Sequence, residues 1–209
     1  MECSFLQPIE IHFQKKEEKE FYRDLKRKKQ IELNKEILKD FLPLRKKIEI
    51  FTQEIDKLLD NITIKEPTSD EKNSYDYYHN YEVAEKVQKY RNYKDVKEWN
   101  NLLKNTLDRL SNNNVEKESG YAWSSFFSRE IFDISDKIKW IKTLNSFKNY
   151  TVIQLPTNID NLINEAKIYG NNIKNKNEIL EDKCLREYLI YKEKKRSLLQ
   201  VKPEIYKGE

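Results

Sequence analysis

Glycine is almost missing from this chain. Three occur in 209 residues: Gly120, Gly170 and Gly208. Hairpin turns and phosphate-cradling loops need positive φ or a close backbone approach, which glycine supplies. Their scarcity argues against a sheet-rich or nucleotide-cradling fold and for helices joined by polar loops. Cysteine is equally rare, with only Cys3 and Cys184. The two form no metal-ligand spacing and no disulfide framework, so reduced thiols in an intracellular protein are expected. No apolar run approaches the roughly 18 residues that a membrane span requires. The opening "MECSFLQPIEIHF" lacks a basic start followed by an apolar core, so no secretory signal is expected. Cytosol, nucleus and mitochondrion are not distinguished by these features.

What is abundant is charge. Charged residues make up 36% and hydrophobic residues 37% of the chain. Long amphipathic helices give this balance, because each buries one stripe and solvates the rest. Aromatics at 12% set the chain apart from disordered sequences. The formal net charge of +4 rests on lysine far more than arginine. Lysine, asparagine, isoleucine and tyrosine are frequent while alanine and glycine are scarce, a bias that AT-rich codons produce. We infer an AT-rich genome and discount lysine abundance as a sign of nucleic-acid binding. The length suits one domain, or one domain with an arm.

Along the chain, "IEIHF" (9–13) alternates apolar and polar residues and predicts a short strand. Residues 14–36 predict a charged, exposed helix that reaches away from the body, gripped only by Phe21, Tyr22 and Leu25 before Ile31. Next comes the clearest pattern. Ile37, Phe41, Leu44, Ile48, Phe51, Ile55, Leu58 and Ile62 follow one another at steps of four and three, a coiled-coil-like seam for a partner helix. Pro43 interrupts it, and an interior proline costs ~3 kcal/mol or more. A break or sharp kink is therefore expected, with a second helix over 44–61.

A polar connection is expected over 63–78, then a helix over about 79–110. "SNNNVEKESG" reads as a breaker. The stretch 121–147 is the most hydrophobic, with Phe127, Ile131, Ile134, Ile138 and Ile141 in register, and is expected at the centre of the core. "YTVIQLP" (150–156) predicts an extended segment able to pair with 9–13. Thr157 and Gly170 predict the cap and stop of a short helix. A last helix is expected over about 176–199, with Leu180, Cys184, Tyr188 and Tyr191 on one stripe.

The expected architecture is an all-α, elongated helical bundle with at most a minor two-stranded β patch. Residues 1–36 form an N-terminal segment and charged helix, 37–200 the bundle, and 201–209 a loose tail.

Candidate chemistry is sparse. Asp76, His79 and Glu82 lie three apart and would share a helix face, and carboxylate with imidazole suits zinc, iron or manganese. A di-metal bundle site needs a second such motif, and the only other histidine, His12, has none around it. A helix N-terminus capped by Asp76 is the simpler reading. No metal and no cofactor is expected. Cys184 sits on an apolar stripe, as a small hydrophobe would. Ser69 and Lys72 match a serine–lysine spacing, but in a polar connection. No catalytic residue is assigned, and a non-enzyme is expected.

Two surfaces remain. Lys16, Lys19, Arg23, Lys26 and Arg27 fall near one helix face, and Lys194, Lys195 and Arg196 form a second basic cluster. Such clusters contact phosphates in RNA or DNA, although Glu17, Glu18, Glu20 and Asp24 offset the first. Tyr75, Tyr77, Tyr78 and Tyr81 crowd one connection, and tyrosine is enriched where proteins meet. Codon bias accounts for such crowding equally well. The function expected from sequence is a non-catalytic helical interaction or scaffold subunit, held to other subunits by helix–helix contacts. RNA or DNA contact inside a larger particle is the alternative, and an enzyme site assembled across helices comes after it.

Overall fold

The computed structural model describes the backbone over residues 6–73, 80–112 and 121–201, and side chains over 15–72, 80–111 and 123–197. Among the described residues there are five α-helices: α1 (Leu6–Asp60), α2 (Ser69–Asn73), α3 (Tyr81–Asn112), α4 (Tyr121–Asn145) and α5 (Ile159–Val201). A 3₁₀ turn, Phe147–Asn149, follows α4. The all-α expectation holds, with no strand among the described residues.

Four long helices form the body. Asn100 of α3 donates to the Thr52 carbonyl (3.0 Å) and to Asp56 (2.8 Å) of α1. Arg109 of α3 pairs with Glu130 of α4 at 2.9 Å. Ser128 and Ser135 of α4 donate to the carbonyls of Gly170 and Ile163 in α5. Lys47 of α1 meets Glu165 of α5. From Ser128–Gly170 to Ser135–Ile163, and from Glu17–Lys195 to Lys47–Glu165, one number rises as the other falls, so α5 runs antiparallel to both α4 and α1. Asn92 at the Phe147 carbonyl and Arg109 at Glu130 show the same for α3 against α4 and the turn after it, which gives the up-down arrangement of a four-helix bundle.

The expected seam fills its centre. Ile37, Phe41, Leu44, Ile48, Phe51 and Ile55 are buried, and they share one core with Leu103, Leu110, Phe127, Ile131, Ile134, Ile138, Ile141 and Ile173. At its end Leu59 is buried, while Leu58 and Ile62 pack only partly. As expected, α4 lies at the centre, with its five seam residues all fully buried.

Several local readings are corrected. Residues 9–13 lie inside α1 and 150–156 form an irregular connection, so the expected strand pair does not exist. Five alternating residues are too short a signal to outweigh the helical run they adjoin. Pro43 does not break α1, which continues from Leu6 to Asp60. Pro43 and Lys39 are both exposed, so the carbonyl that proline deprives of a partner faces water. Packed seam residues on both sides hold the helix through it.

Gly170 is not a stop either. The helix runs on from Ile159 to Val201, and Gly170 has no positive φ. Its lack of a side chain lets the Phe132 ring approach, since a Cβ there would lie 3.0 Å from the ring's Cζ. The connection after α1 carries the short helix α2, closed by a capping box. Thr68 N–H donates to Glu71 Oε2 (2.8 Å) and Glu71 N–H to Thr68 Oγ1 (3.2 Å). Ser69 and Lys72 sit on this helix. The start of α3 is capped by Asn80, whose Oδ1 accepts from Glu82 N–H at 3.0 Å; the cap expected at Asp76 lies outside the described residues.

The charged N-terminal half of α1 has a partner that its own composition does not announce. It lies antiparallel along the C-terminal half of α5. Phe21 stacks on Tyr191 (3.9 Å, 12°) and Tyr22 meets Tyr188 at 5.2 Å. Lys26 pairs with Glu181, Lys29 with Glu187 and Lys195 with Glu17. Cys184 is fully buried in this interface. Exposed ion pairs add little, roughly 0–1 kcal/mol each, so the aromatic pairs and Cys184 supply most of the grip. Past α4's first described side chains these two helices form an arm beyond the body.

Two outcomes are expected. Gly170→Ala should gain less than the ~1 kcal/mol that helix propensity offers. The same substitution should gain more in a Phe132→Leu background, as read by a thermal-melt double-mutant cycle. Tyr169 donates its hydroxyl to the Ile37 carbonyl. Burial, with Asp40 and Glu36 nearby, pushes its pKa up. A phenol raised on folding stabilises fully below its unfolded pKa, about 10, and loses that contribution as pH rises beyond it. Tyr169→Phe should therefore cost about 1 kcal/mol at neutral pH and flatten the decline in stability above pH about 10, measured by denaturant melts.

Candidate interaction surfaces

The seam residues Ile37, Phe41, Leu44, Ile48, Phe51 and Ile55 are spent inside this chain. Their partner helices are α3, α4 and α5, so the seam is not a surface for another protein.

Asp76, His79, Tyr75, Tyr77 and Tyr78 lie outside the described residues. Glu82 is exposed at the start of α3, and no group of metal-ligating side chains occurs among the described residues. The Cys184 thiol is pushed up by burial, with Lys29 opposing the shift. A buried thiol held protonated is a poor nucleophile.

Tyr81 is 70% exposed, and its ring centroid lies 6.1 Å from that of Tyr150. Here the α4–α5 connection is held by two asparagines. Asn92 donates to the carbonyls of Phe147 (3.1 Å) and Tyr150 (2.8 Å). Asn145 accepts from Ile153 N–H (3.0 Å) and donates to its carbonyl (2.9 Å). Between them Lys148 (φ 53°) and Asn149 (φ 66°) are left-handed. That conformation suits asparagine better than lysine, and it keeps Phe147 at the surface, 45% exposed.

Nearby on α3 and α4, Trp99 and Trp140 stack at 5.9 Å. Trp140 is 49% exposed, with Leu102 also exposed. The pair therefore sits at the bundle's edge, and no local sequence signal announces it.

The basic residues singled out from the sequence all lie on the arm. Lys16, Lys19, Arg23, Arg27, Lys194 and Arg196 are exposed, while Lys26 and Lys195 are drawn into ion pairs with Glu181 and Glu17. Residues 15–29 and 178–197 together hold fourteen basic and nine acidic side chains, against 40 and 36 in the whole chain. The positive excess of the protein therefore sits in the arm, and the remainder is balanced.

Hydrophobic residues are exposed there too. Leu185, Leu189 and Ile190 are each about half exposed on the far part of α5. Leu185 and Leu189 are four apart, a spacing visible in the sequence.

A buried polar layer separates arm from body. Gln30 donates its Nε2–H to Asn34 (2.9 Å), Ser124 (3.0 Å) and Asn177 (3.3 Å), and Ser124 donates to Asn177 at 2.8 Å. All four are buried. They join α1, α4 and α5 at one level.

No described helix is long and apolar enough to cross a membrane. No family model, no curated protein and no solved structure matches the chain.

Lys148→Gly should raise stability by up to about 1 kcal/mol, because glycine enters the left-handed region without the Cβ clash. Lys148→Val should lower it. Chemical denaturation of both variants reads the sign.

Proposed function

We propose that the chain is a non-catalytic helical interaction or scaffold subunit of a larger intracellular assembly. One observation carries the reading. The fold satisfies its own core seam, yet it leaves Trp140, Phe147, Leu185 and Leu189 at the surface of rigid helices and a tethered turn. Large apolar groups on ordered elements suit a contact face, whereas a reaction site needs convergent polar groups in a cleft. The arm adds to this. It presents a helix pair to solvent, and such a pair is a shape that other helices can pack against.

A second reading has its own support. The excess of basic residues on the arm suits phosphate contact, so RNA or DNA within a larger particle is the alternative. Its signature is an affinity whose logarithm falls steeply with the logarithm of salt.

The full chain, tagged and recovered from its native source, is expected to bring a stoichiometric protein partner. Leu185→Ser/Leu189→Ser should reduce that recovery without changing the melting temperature, whereas Trp140→Ser should reduce it and also lower the melting temperature, because it loses the Trp99 stack. Recovery of the chain alone, migrating as a monomer, would contradict the subunit reading. A stoichiometric metal or cofactor that His79→Ala removes would point instead to an enzyme.

A further inference from the structure

Between α4 and α5 a groove opens to solvent. Two bonds set the register of its walls: Ser128 donates to the Gly170 carbonyl and Ser124 to Asn177. That register brings Ser125 and Arg129 of α4 across from Lys174 of α5, and all three line the groove. Its volume is about 360 Å³, within the range of small-molecule sites.

The floor is polar and buried. Ser128 and Asn177 form part of it, and both are buried. Asn177 accepts from Ser124 (2.8 Å) and from Gln30 (3.3 Å), each time through Oδ1. Its oxygen is thus turned to the polar layer, and its Nδ2 has no acceptor among the described residues. Those amide hydrogens remain for whatever enters the groove.

The rim carries the charge. Arg45 and Arg109 are drawn into ion pairs with Glu49 and Glu130. No carboxylate among the described residues pairs with Arg129 or Lys174. The Arg129 guanidinium lies 5.7 Å from the centre of the Phe126 ring, which keeps it over the turn that carries Ser125. Codon bias accounts for lysine but not for arginine, whose planar fork matches phosphate oxygens. Glu178 is the one carboxylate on the described lining, and it follows Asn177 at the end away from Arg129. Phe132 lines the other end, its ring close to Gly170.

We propose that this groove binds a small phosphate monoester carrying an aromatic group. Arg129, Lys174, the Ser125 hydroxyl and the Asn177 amide donate to the phosphate, and Phe132 meets the ring. Two unpaired cations match the nearly two negative charges of a phosphate monoester at neutral pH. The site lies apart from the arm and from Trp140, so it stands independently of the subunit reading.

The test titrates the full chain with phenyl phosphate at low ionic strength and follows the backbone amides by NMR. The shifts should saturate together and centre on 125–132 and 170–178. Arg129→Gln and Lys174→Gln should each weaken binding about fivefold, as the loss of one exposed ionic contact does. Glu178→Gln should tighten it by removing the opposing charge. Inorganic phosphate should bind more weakly, and Phe132→Leu should bring phenyl phosphate down to that level. Arg129, Lys174 and Glu178 are exposed, so their variants should keep the wild-type melting temperature.

The absence of a saturable shift overturns the proposal. So do shifts that spread over the lysines of the arm, or that both glutamine variants leave unchanged. Equal affinity for benzoate overturns the phosphate assignment in favour of a carboxylate. Equal affinity for dimethyl phosphate, a singly charged diester like a nucleic-acid linkage, overturns the monoester assignment. None of these readouts involves the protein partner expected above, so the subunit reading stands or falls separately.

Discussion

From Glu17–Lys195 at one end to Lys47–Glu165 at the other, α1 and α5 keep a single antiparallel register. That pairing covers 31 positions of α1, about 45 Å of helix at 1.5 Å per residue, and the placement of the other elements follows from it. Over its inner part, α3 and α4 close the pair into a bundle with one apolar core. Over its outer part no other described helix accompanies the pair. One helix pair therefore passes through two environments, and its sequence changes character where they meet.

The change occurs at a buried polar layer. An apolar residue at Gln30 would be compatible with several offsets of α1 along α5, because greasy side chains pack without direction. Gln30, Asn34, Ser124 and Asn177 bond one another, and a slip by one turn would leave these buried amides unpaired at a cost of about 1–3 kcal/mol each. Buried polar residues at seam positions fix register in coiled coils. Here the layer also marks how far α4 reaches, so the length of the body and the start of the arm are set at one point. Beyond it the helices rely on aromatic stacking, Cys184 and exposed ion pairs, which together bury less than the core does.

Much of this was legible in the sequence, and the failures share a cause. The seam from Ile37 to Ile55 and the apolar run of α4 were readable because burial imposes a period that many residues repeat. Pro43 and Gly170 were misread because a single punctuating residue acts through its surroundings. Pro43 turns its lost hydrogen bond toward water, and Gly170 accommodates the Phe132 ring from another helix. The strand expected at 9–13 rested on five residues, too few to outweigh the helix they extend. The partner of the charged N-terminal half was invisible for a different reason. Phe21 and Tyr191 lie at opposite ends of the chain, and nothing local in either segment names the other. Of the candidate surfaces, the basic residues were found and the exposed Leu185 and Leu189 were not, since which apolar residues stay exposed depends on which faces other helices cover.

A bundle that satisfies its own seam and extends two of its helices past the others has an unequal distribution of stability. Native-state hydrogen exchange resolves it residue by residue. Amides in 37–55 and 131–141 are expected to exchange only through global unfolding. Those in 15–29 and 178–197 should exchange through a separate, lower-energy opening, with the step between the classes falling at Gln30 and Asn177. Uniform protection along the whole of α1, or an arm more protected than the core, would contradict the account.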